Sequence, residues 1–148
     1  MKKSERAAAA MKSQTTNCAQ SVIDVFVDDT GIERDTALKL SLGFGGGLGH
    51  TGGVCGAVSA ACMVLGLRQD FDPNNPKKNR DRLYALEQEF LRRFRAEFGS
   101  VNCTELLGHD LSTAGGAAAV KEKGLTALLC LRLVAAAVDI LEEMAHTK

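Results

Sequence analysis

Apolar residues recur every three or four positions across residues 77–98, and this periodicity constrains the fold more than any other feature. Leu83, Leu86, Phe90 and Phe94 fall on one face, with Lys, Arg and Glu between them. Such spacing is typical of an amphipathic helix. Alanine and leucine far outnumber isoleucine and valine in the chain, a balance that favours helices over strands. The sequence therefore predicts an all-α protein.

The same criteria predict further helices along the chain. A segment that is apolar nearly all round, such as the last one, belongs in the centre of a bundle. The small residues of "STAGGAAA" at 112–119 are predicted to form a loop before it. The chain has 148 residues, the size of one domain. We therefore predict a single-domain helical bundle over residues 1–148, with about five to seven helices and a glycine-rich interhelical loop. Its other helices are expected at 4–14, 18–28, 33–42, 54–67, 103–108 and 120–145.

Charge and hydropathy exclude several classes of function. Lys plus Arg equals Asp plus Glu, 18 of each, so the clustered basic face that nucleic-acid binding requires is not expected. No run of 18 apolar residues is present, which argues against a transmembrane helix. The start "MKKSERAAAAMKSQ" breaks its alanine run with charged residues, unlike a secretory signal. We predict a cytoplasmic protein without nucleic-acid partners or membrane insertion.

Five cysteines then need an explanation: Cys18, Cys55, Cys62, Cys103 and Cys130. Structural disulfides are rare in a reducing cytoplasm, so spaced cysteines indicate metal or redox chemistry. A free cysteine is also a common core residue that packs like a small hydrophobe. Each of these cysteines lies on the apolar face of its predicted helix. They can therefore meet in the interior, either as a shared thiolate site or as ordinary core residues.

Two short stretches that resemble each other place cysteines at helix starts. "NCAQ" at 17–20 and "NCTE" at 102–105 follow the capping-box pattern, with Asn as the cap and Gln or Glu reaching back. Cys18 and Cys103 would then be first helical residues, and Cys55 is also expected in a first turn. Free N–H groups and the helix dipole at such positions favour a thiolate. By contrast, Cys130 is expected inside the last helix.

The stretch "GFGGGLGHTGGVCG" at 43–56 contains eight of the fifteen glycines. It lacks the Lys-Ser/Thr ending of a phosphate-binding loop, and no parallel sheet is predicted that could support dinucleotide binding. The glycines could simply allow close helix crossing or positive φ. We expect in addition that the loop brings backbone N–H groups to the sulfur of Cys55 and lowers its pKa. His50 is predicted to be a solvated loop residue rather than a ligand or proton donor.

The blocks "NCAQSV", "GFGGGLG", "GGVCGAVSAA" and "FGSVNCTELLG", with a last Cys in the C-terminal helix, together resemble the C_GCAxxG_C_C family of small redox-active bacterial proteins. The resemblance spans residues 14–142. The family's first glycine, alanine and last glycine around the central cysteine fall here on Val54, Gly56 and Ser59. Cys62 lies outside the signature and is predicted to be a core thiol. The resemblance makes four residues the signature cysteines: Cys18, Cys55, Cys103 and Cys130.

The leading hypothesis is a redox-active protein whose four signature cysteines bind an iron–sulfur cluster as metal ligands for electron transfer with a partner protein. One alternative is thiol–disulfide exchange without metal. Others are a structural four-cysteine zinc site and a non-catalytic helical protein that binds a partner. No catalytic residue or reaction is assigned, and a homo-oligomer is compatible with the sequence.

Overall fold

A computed structural model describes residues 1–146, and these form a helical bundle without a β-strand. The predicted all-α class is confirmed. The last two residues of the predicted domain, 147 and 148, lie outside the described part. The helices are α1 (Lys3–Lys12), α2 (Cys18–Asp24), α3 (Val27–Thr30), α4 (Arg34–Leu42), α5 (Gly45–Leu48), α6 (Gly56–Leu67), α7 (Pro76–Phe98), α8 (Cys103–Leu107), α9 (Ala114–Glu122) and α10 (Leu131–His146), with a π-helical segment (Thr126–Cys130) directly before α10.

The core is built around α2, α6 and α10, which pack against one another. Helix α1 covers α10, α4 covers α2, and α7 packs on both α6 and α10. The predicted apolar face of α7 is directed inwards, since Phe90 and Phe94 are completely buried. The two rings lie 6.0 Å apart between centroids. The periodicity of residues 77–98 therefore identified both the helix and its buried face.

The prediction of one helix over 120–145 is wrong, as is the loop at 112–119. Helix α9 already begins at Ala114 because the Thr113 hydroxyl accepts a hydrogen bond from the Gly116 N–H at 2.9 Å. The chain then turns at Gly124, whose φ of 63° is left-handed, a conformation that glycine adopts without steric cost. The α9 axis and the helix that follows are bent by 69°. The bend gives Cys130 a position on a π-helical turn rather than in the middle of a straight helix.

The predicted helix over 18–28 also divides in two. Helix α2 ends at Asp24 and α3 begins at Val27. The break lies at Phe26, which is completely buried and stacks under the Arg68 guanidinium at 4.8 Å. Burial of this ring takes precedence over continuation of the helix.

One long-range backbone contact ties the loop before α6 to the loop before α8. Val54 and Asn102 form an isolated antiparallel bridge. Nothing in the local sequence pattern indicated this pairing, because its two halves lie almost 50 residues apart.

Within residues 1–146, no single helix is long and apolar enough to cross a membrane. Only the bent pair Ala114–Glu122 and Thr126–His146 reaches that length and composition, and only when the two are taken together.

Candidate thiol site

The four signature cysteines come from four separate elements and line one cavity of about 790 Å³. Cys18 is the first residue of α2, and Cys103 is the first residue of α8. Cys55 precedes α6 as its N-cap, and Cys130 ends the π-helical segment. The structure thus brings together residues that are up to 112 positions apart in the chain (130 − 18). We call this space the thiol cavity.

The thiols are close enough to influence each other's ionisation. The pKa of Cys55 is raised to about 12, chiefly by burial and then by the charges of Cys18 and Cys103. Burial likewise raises the pKa of Cys103 to about 11, with a contribution from Cys18. The pKa of Cys130 rises to about 12 because of burial and then the charges of the other three signature cysteines. All six pairs among the four residues therefore interact electrostatically.

The predicted lowering of the Cys55 pKa is wrong for the protein with free thiols. The backbone N–H groups of Val58 and Ala57, in the first turn of α6, do lower the pKa of Cys55, although the Cys55 side chain makes no capping hydrogen bond to that turn. Their effect is smaller than that of burial, because Cys55 is only 5% exposed and a thiolate loses its hydration there. These N–H groups belong to the start of α6, whereas the sequence analysis expected them to come from the glycine loop.

The capping box predicted at Asn17 is present and fixes the start of α2. The Asn17 carboxamide oxygen accepts from the Gln20 N–H at 2.9 Å, and the Gln20 side-chain oxygen accepts from the Asn17 N–H at 3.1 Å. The Asn17 Nδ2 group also donates to the Leu42 carbonyl at 2.8 Å. The cap therefore connects α2, and Cys18 with it, to the end of α4.

The second predicted capping box is absent. The Asn102 side chain accepts no backbone N–H from the first turn of α8; its Nδ2 group donates to the Glu105 carboxylate at 3.4 Å. The Asn102 N–H donates to the Ser100 hydroxyl at 3.0 Å. The Glu105 carboxylate accepts from that same hydroxyl at 2.6 Å. In a capping box the Glu105 carboxylate would accept from the Asn102 N–H, and here the Ser100 hydroxyl is the donor instead.

The bridge between the two loops positions Cys55 and Cys103 directly. The Cys55 N–H donates to the Val101 carbonyl at 2.8 Å, and the Cys103 N–H donates to the Gly53 carbonyl at 2.7 Å. The Thr104 hydroxyl adds a bond to the Gly52 carbonyl at 2.9 Å. Because both cysteines donate their own amides to the bridge, the two thiols are held in a fixed relation.

Glycines allow two of the close approaches that form the site. A β-carbon at position 56 would lie 2.6 Å from the Cys18 sulfur and 2.7 Å from the Phe44 carbonyl oxygen. A β-carbon at position 47 would lie 2.7 Å from Cβ of Cys103, and Gly47 also has a left-handed φ of 70°. The glycine loop therefore brings the cysteine-bearing segments together, which is the structural explanation that the sequence had left open.

The family profile described as "Putative redox-active protein (C_GCAxxG_C_C)" matches residues 16–144, almost the whole chain. The chain belongs to the C_GCAxxG_C_C family. No curated protein and no solved structure shows a significant match. The family description assigns redox activity, and in this member of the C_GCAxxG_C_C family the four signature cysteines are the residues around the thiol cavity.

The family's last glycine corresponds here to Ser59, which lies inside α6 with ordinary helical backbone. Its φ is not positive, so a serine fits without strain. The family's alanine corresponds to Gly56, where this member has no room for a β-carbon in its present packing.

The fifth cysteine is separate from the others. Cys62 is half-buried on α6 and does not line the thiol cavity. The pKa of its thiol is raised to about 11, chiefly by burial and then by the charge of Glu87 on α7. The structure thus agrees with the prediction that Cys62 lies outside the shared site.

His50 is exposed, as predicted for a solvated loop residue. It also lines the thiol cavity, which the sequence did not indicate. Its ring packs over Gly46, where a β-carbon would lie 2.6 Å from Cδ2. This packing follows from a run of left-handed residues that includes Gly46 and His50.

Sequence reasoning also missed Lys121, which lines the thiol cavity from the last turn of α9. The sequence analysis placed a loop at 112–119, so it did not predict α9, the helix on which Lys121 lies. Gln14, Thr15 and Thr16, after α1, line the cavity as well, and no motif marked them.

All five cysteines are free thiols. Among residues 1–146, no three His, Cys, Asp or Glu side chains are arranged to hold a single metal ion. A tetrahedral zinc site with Zn–S bonds of about 2.3 Å would require its sulfurs within about 4 Å of each other. The signature cysteines offer four soft sulfur donors around the thiol cavity, the kind of donor that iron–sulfur clusters use.

Proposed function

We propose that this chain is a redox protein in which Cys18, Cys55, Cys103 and Cys130 bind one iron–sulfur cluster and exchange electrons with a partner protein. The observation that carries the proposal is the convergence of these four residues on one cavity. Their family membership supports redox chemistry, and four thiolates suit either common cluster type.

The ionisation of the thiols favours a bound metal over thiol–disulfide exchange. A thiolate is the nucleophile in exchange, and the raised pKa values of Cys55, Cys103 and Cys130 keep these thiols protonated near neutral pH. A cationic metal centre supplies the positive charge that would stabilise four neighbouring thiolates, and binding it releases their protons. The same burial that disfavours free thiolates therefore suits a metal-bound site.

The residues around Cys55 would then have a defined electrostatic role. When bound, a cluster supplies a one-electron couple whose potential depends on its charge, hydrogen bonding and solvent exposure. The N–H groups of Val58 and Ala57 favour negative charge on the Cys55 sulfur and would favour the more reduced, more negative form. The open side of the thiol cavity is the route by which a partner would approach.

Thiol–disulfide exchange stays the second candidate, because all four sulfurs share one cavity and any two could pair after local movement. A structural zinc site is less well supported by the donor arrangement described above. The proposal places the protein in a reducing cytoplasm, as the sequence analysis predicts. A partner protein and self-association both stay predictions.

The direct test is anaerobic purification of the full-length protein, followed by iron and acid-labile sulfide analysis and visible absorption spectroscopy. We expect stoichiometric iron and sulfide and a brown colour that bleaches on reduction. Alanine replacement of any signature cysteine should reduce the iron content strongly. Cys62→Ala is the matched control and should retain it.

Three results would contradict the proposal. Colourless protein with one zinc per chain would support the structural zinc site. Reversible loss of two or four titratable thiols without metal would support disulfide exchange. Loss of iron in Cys62→Ala, with retention in the signature variants, would mean that the wrong cysteines have been assigned.

A further inference from the structure

The lining of the thiol cavity carries formal charge at a single place. Among the described residues, Lys121 is the only Lys, Arg, Asp or Glu that lines it. The side chain is exposed, and within residues 1–146 its ammonium group pairs with no carboxylate. The position near the end of α9 lets the lysine reach both the solvent and the cavity.

The rest of the lining divides into apolar and neutral polar parts. Leu107, Val120 and Leu133 are buried residues of the cavity wall. Gln14 and Thr15 are exposed and line the same space without charge. A ligand that enters would therefore meet one cation, several neutral polar groups and an apolar wall close to the thiols.

We infer that the thiol cavity admits small organic anions in preference to neutral molecules, with the acidic group held by Lys121 and the apolar part directed toward the signature cysteines. This inference goes beyond the proposed function, because it concerns what the lining of the cavity admits and not what the cysteines bind. It assigns a substrate class, a carboxylate or similar anion of a few heavy atoms, to a site for which the family description gives only redox activity.

Two alkylating reagents of almost equal size test the preference. Iodoacetate is anionic and iodoacetamide is neutral, and with either one a thiolate sulfur attacks the methylene carbon, forms an S–C bond and releases iodide. Because both reagents react with the same thiolate, the thiol pKa cancels in the ratio of the two rates. The ratio at each cysteine, measured by peptide mass spectrometry, then reports how the cavity treats an anion.

The protein to use is the full-length chain, reduced, freed of metal with a chelator and shown to be folded by circular dichroism. At about pH 8 and low ionic strength, we expect the iodoacetate-to-iodoacetamide ratio at the signature cysteines to exceed that at Cys62, where the charge of Glu87 also disfavours the anion. The contribution of Lys121 is therefore read from its variant. Lys121→Gln should lower the ratio at the signature cysteines about two- to fivefold. Salt at about 1 M should lower the wild-type ratio in the same way.

Lys123→Gln is the matched control for Lys121→Gln. Lys123 lies two residues further along, contacts Nε2 of His109 at 3.1 Å and does not line the cavity. Its replacement should leave the ratio unchanged, and Cys62 serves as an internal reference in every sample. Equal ratios at Cys62 and the signature cysteines in folded protein, or equal effects of the two lysine variants, would overturn the inference.

The outcome is separable from that of the proposed function. Iron and sulfide content tests what the cysteines bind, whereas the alkylation ratio is measured on metal-free protein. A protein that binds zinc, or no metal, could still show the Lys121-dependent ratio, and a cluster protein could lack it.

Discussion

At Cys55, burial and a helix N-terminus act on the same thiol in opposite directions. Two backbone N–H groups in the first turn of α6 lower the pKa of this thiol. Desolvation raises it by more, because an ion in an apolar interior loses hydration that two donors do not replace. Position at a helix start is therefore insufficient to activate a cysteine when the residue is also in the core.

This balance predicts the reactivity of Cys55 in reduced, metal-free protein. We expect its alkylation rate by iodoacetamide to keep rising beyond about pH 10, because the folded pKa lies near 12. In urea-unfolded protein, the same residue should titrate near its ordinary pKa of 9.0. The alkylation rate of Cys55 at each pH can be measured by peptide mass spectrometry. A plateau in the folded protein below about pH 9 would contradict the dominance of burial.

Gly56 is the glycine whose replacement should affect the site most directly. In Gly56→Ala, the new β-carbon would approach the Cys18 sulfur to 2.6 Å and the Phe44 carbonyl to 2.7 Å. We expect a loss of about 1–3 kcal/mol in the free energy of unfolding and a lower iron content after anaerobic purification. Both can be measured on one preparation, by urea titration and by metal analysis.

The control for this change is Gly43→Ala. Gly43 has a helical φ of −72°, and a β-carbon there meets nothing within 4 Å. Alanine at this position should be neutral or stabilise by up to about 1 kcal/mol. Equal stability and iron content in the two variants would show that Gly56 and Cys18 are not in close contact.

At the scale of elements, two stretches of nearly identical pattern form different structures. Asn17 caps α2 with a complete capping box and also holds the end of α4. Asn102 does not cap α8, because Ser100 bonds its backbone N–H and the Glu105 carboxylate. The residue two positions earlier is Ser100 in one stretch and Thr15 in the other, and the Thr15 hydroxyl is bonded to the Ser13 hydroxyl instead.

The two asparagines therefore form a matched pair for mutation. Asn17→Ala should lower the free energy of unfolding by about 1–2 kcal/mol, because a true N-cap is lost. Asn102→Ala should lower it by no more than about 0.5 kcal/mol, as for a surface change. Urea titrations of both variants and wild type give the comparison. A loss at Asn102 equal to or larger than that at Asn17 would contradict the assigned caps.

Across the whole molecule, the buried thiols link stability to pH. Cys55, Cys103, Cys130 and Cys62 all have folded pKa values of about 11 to 12, above the ordinary value of 9.0. Above that ordinary value the unfolded chain releases protons that the folded chain retains. Stability is therefore fully present below about pH 9 and falls as the pH rises toward 11–12.

We expect the urea midpoint of reduced, metal-free protein to decline over this window. The free energy of unfolding should fall by at most about 1.4 kcal/mol per pH unit for each thiol involved. Cys55→Ala should show a smaller decline than wild type, because one of the contributing thiols is absent. A midpoint that is constant between about pH 9 and 11 would show that the thiols are solvated in the folded protein.

Local patterns in the sequence were sufficient for most helices and for several of their functional residues. The three- and four-residue spacing identified α7 and its buried Phe90 and Phe94, since a helix that buries one face must repeat in this way. "NCAQ" identified the Asn17 cap, since its hydrogen bonds span only three residues. The family blocks identified the four signature cysteines without any knowledge of their distances.

Only the tertiary structure decided how those cysteines meet and what surrounds them. The bridge between Val54 and Asn102 joins segments far apart in the chain. Burial of Cys55, which reverses its predicted pKa shift, and the presence of Lys121 in the cavity both result from tertiary packing. Hydrogen bonds within one helical turn are fixed by neighbouring residues, whereas desolvation and long-range pairing exist only once distant segments come together.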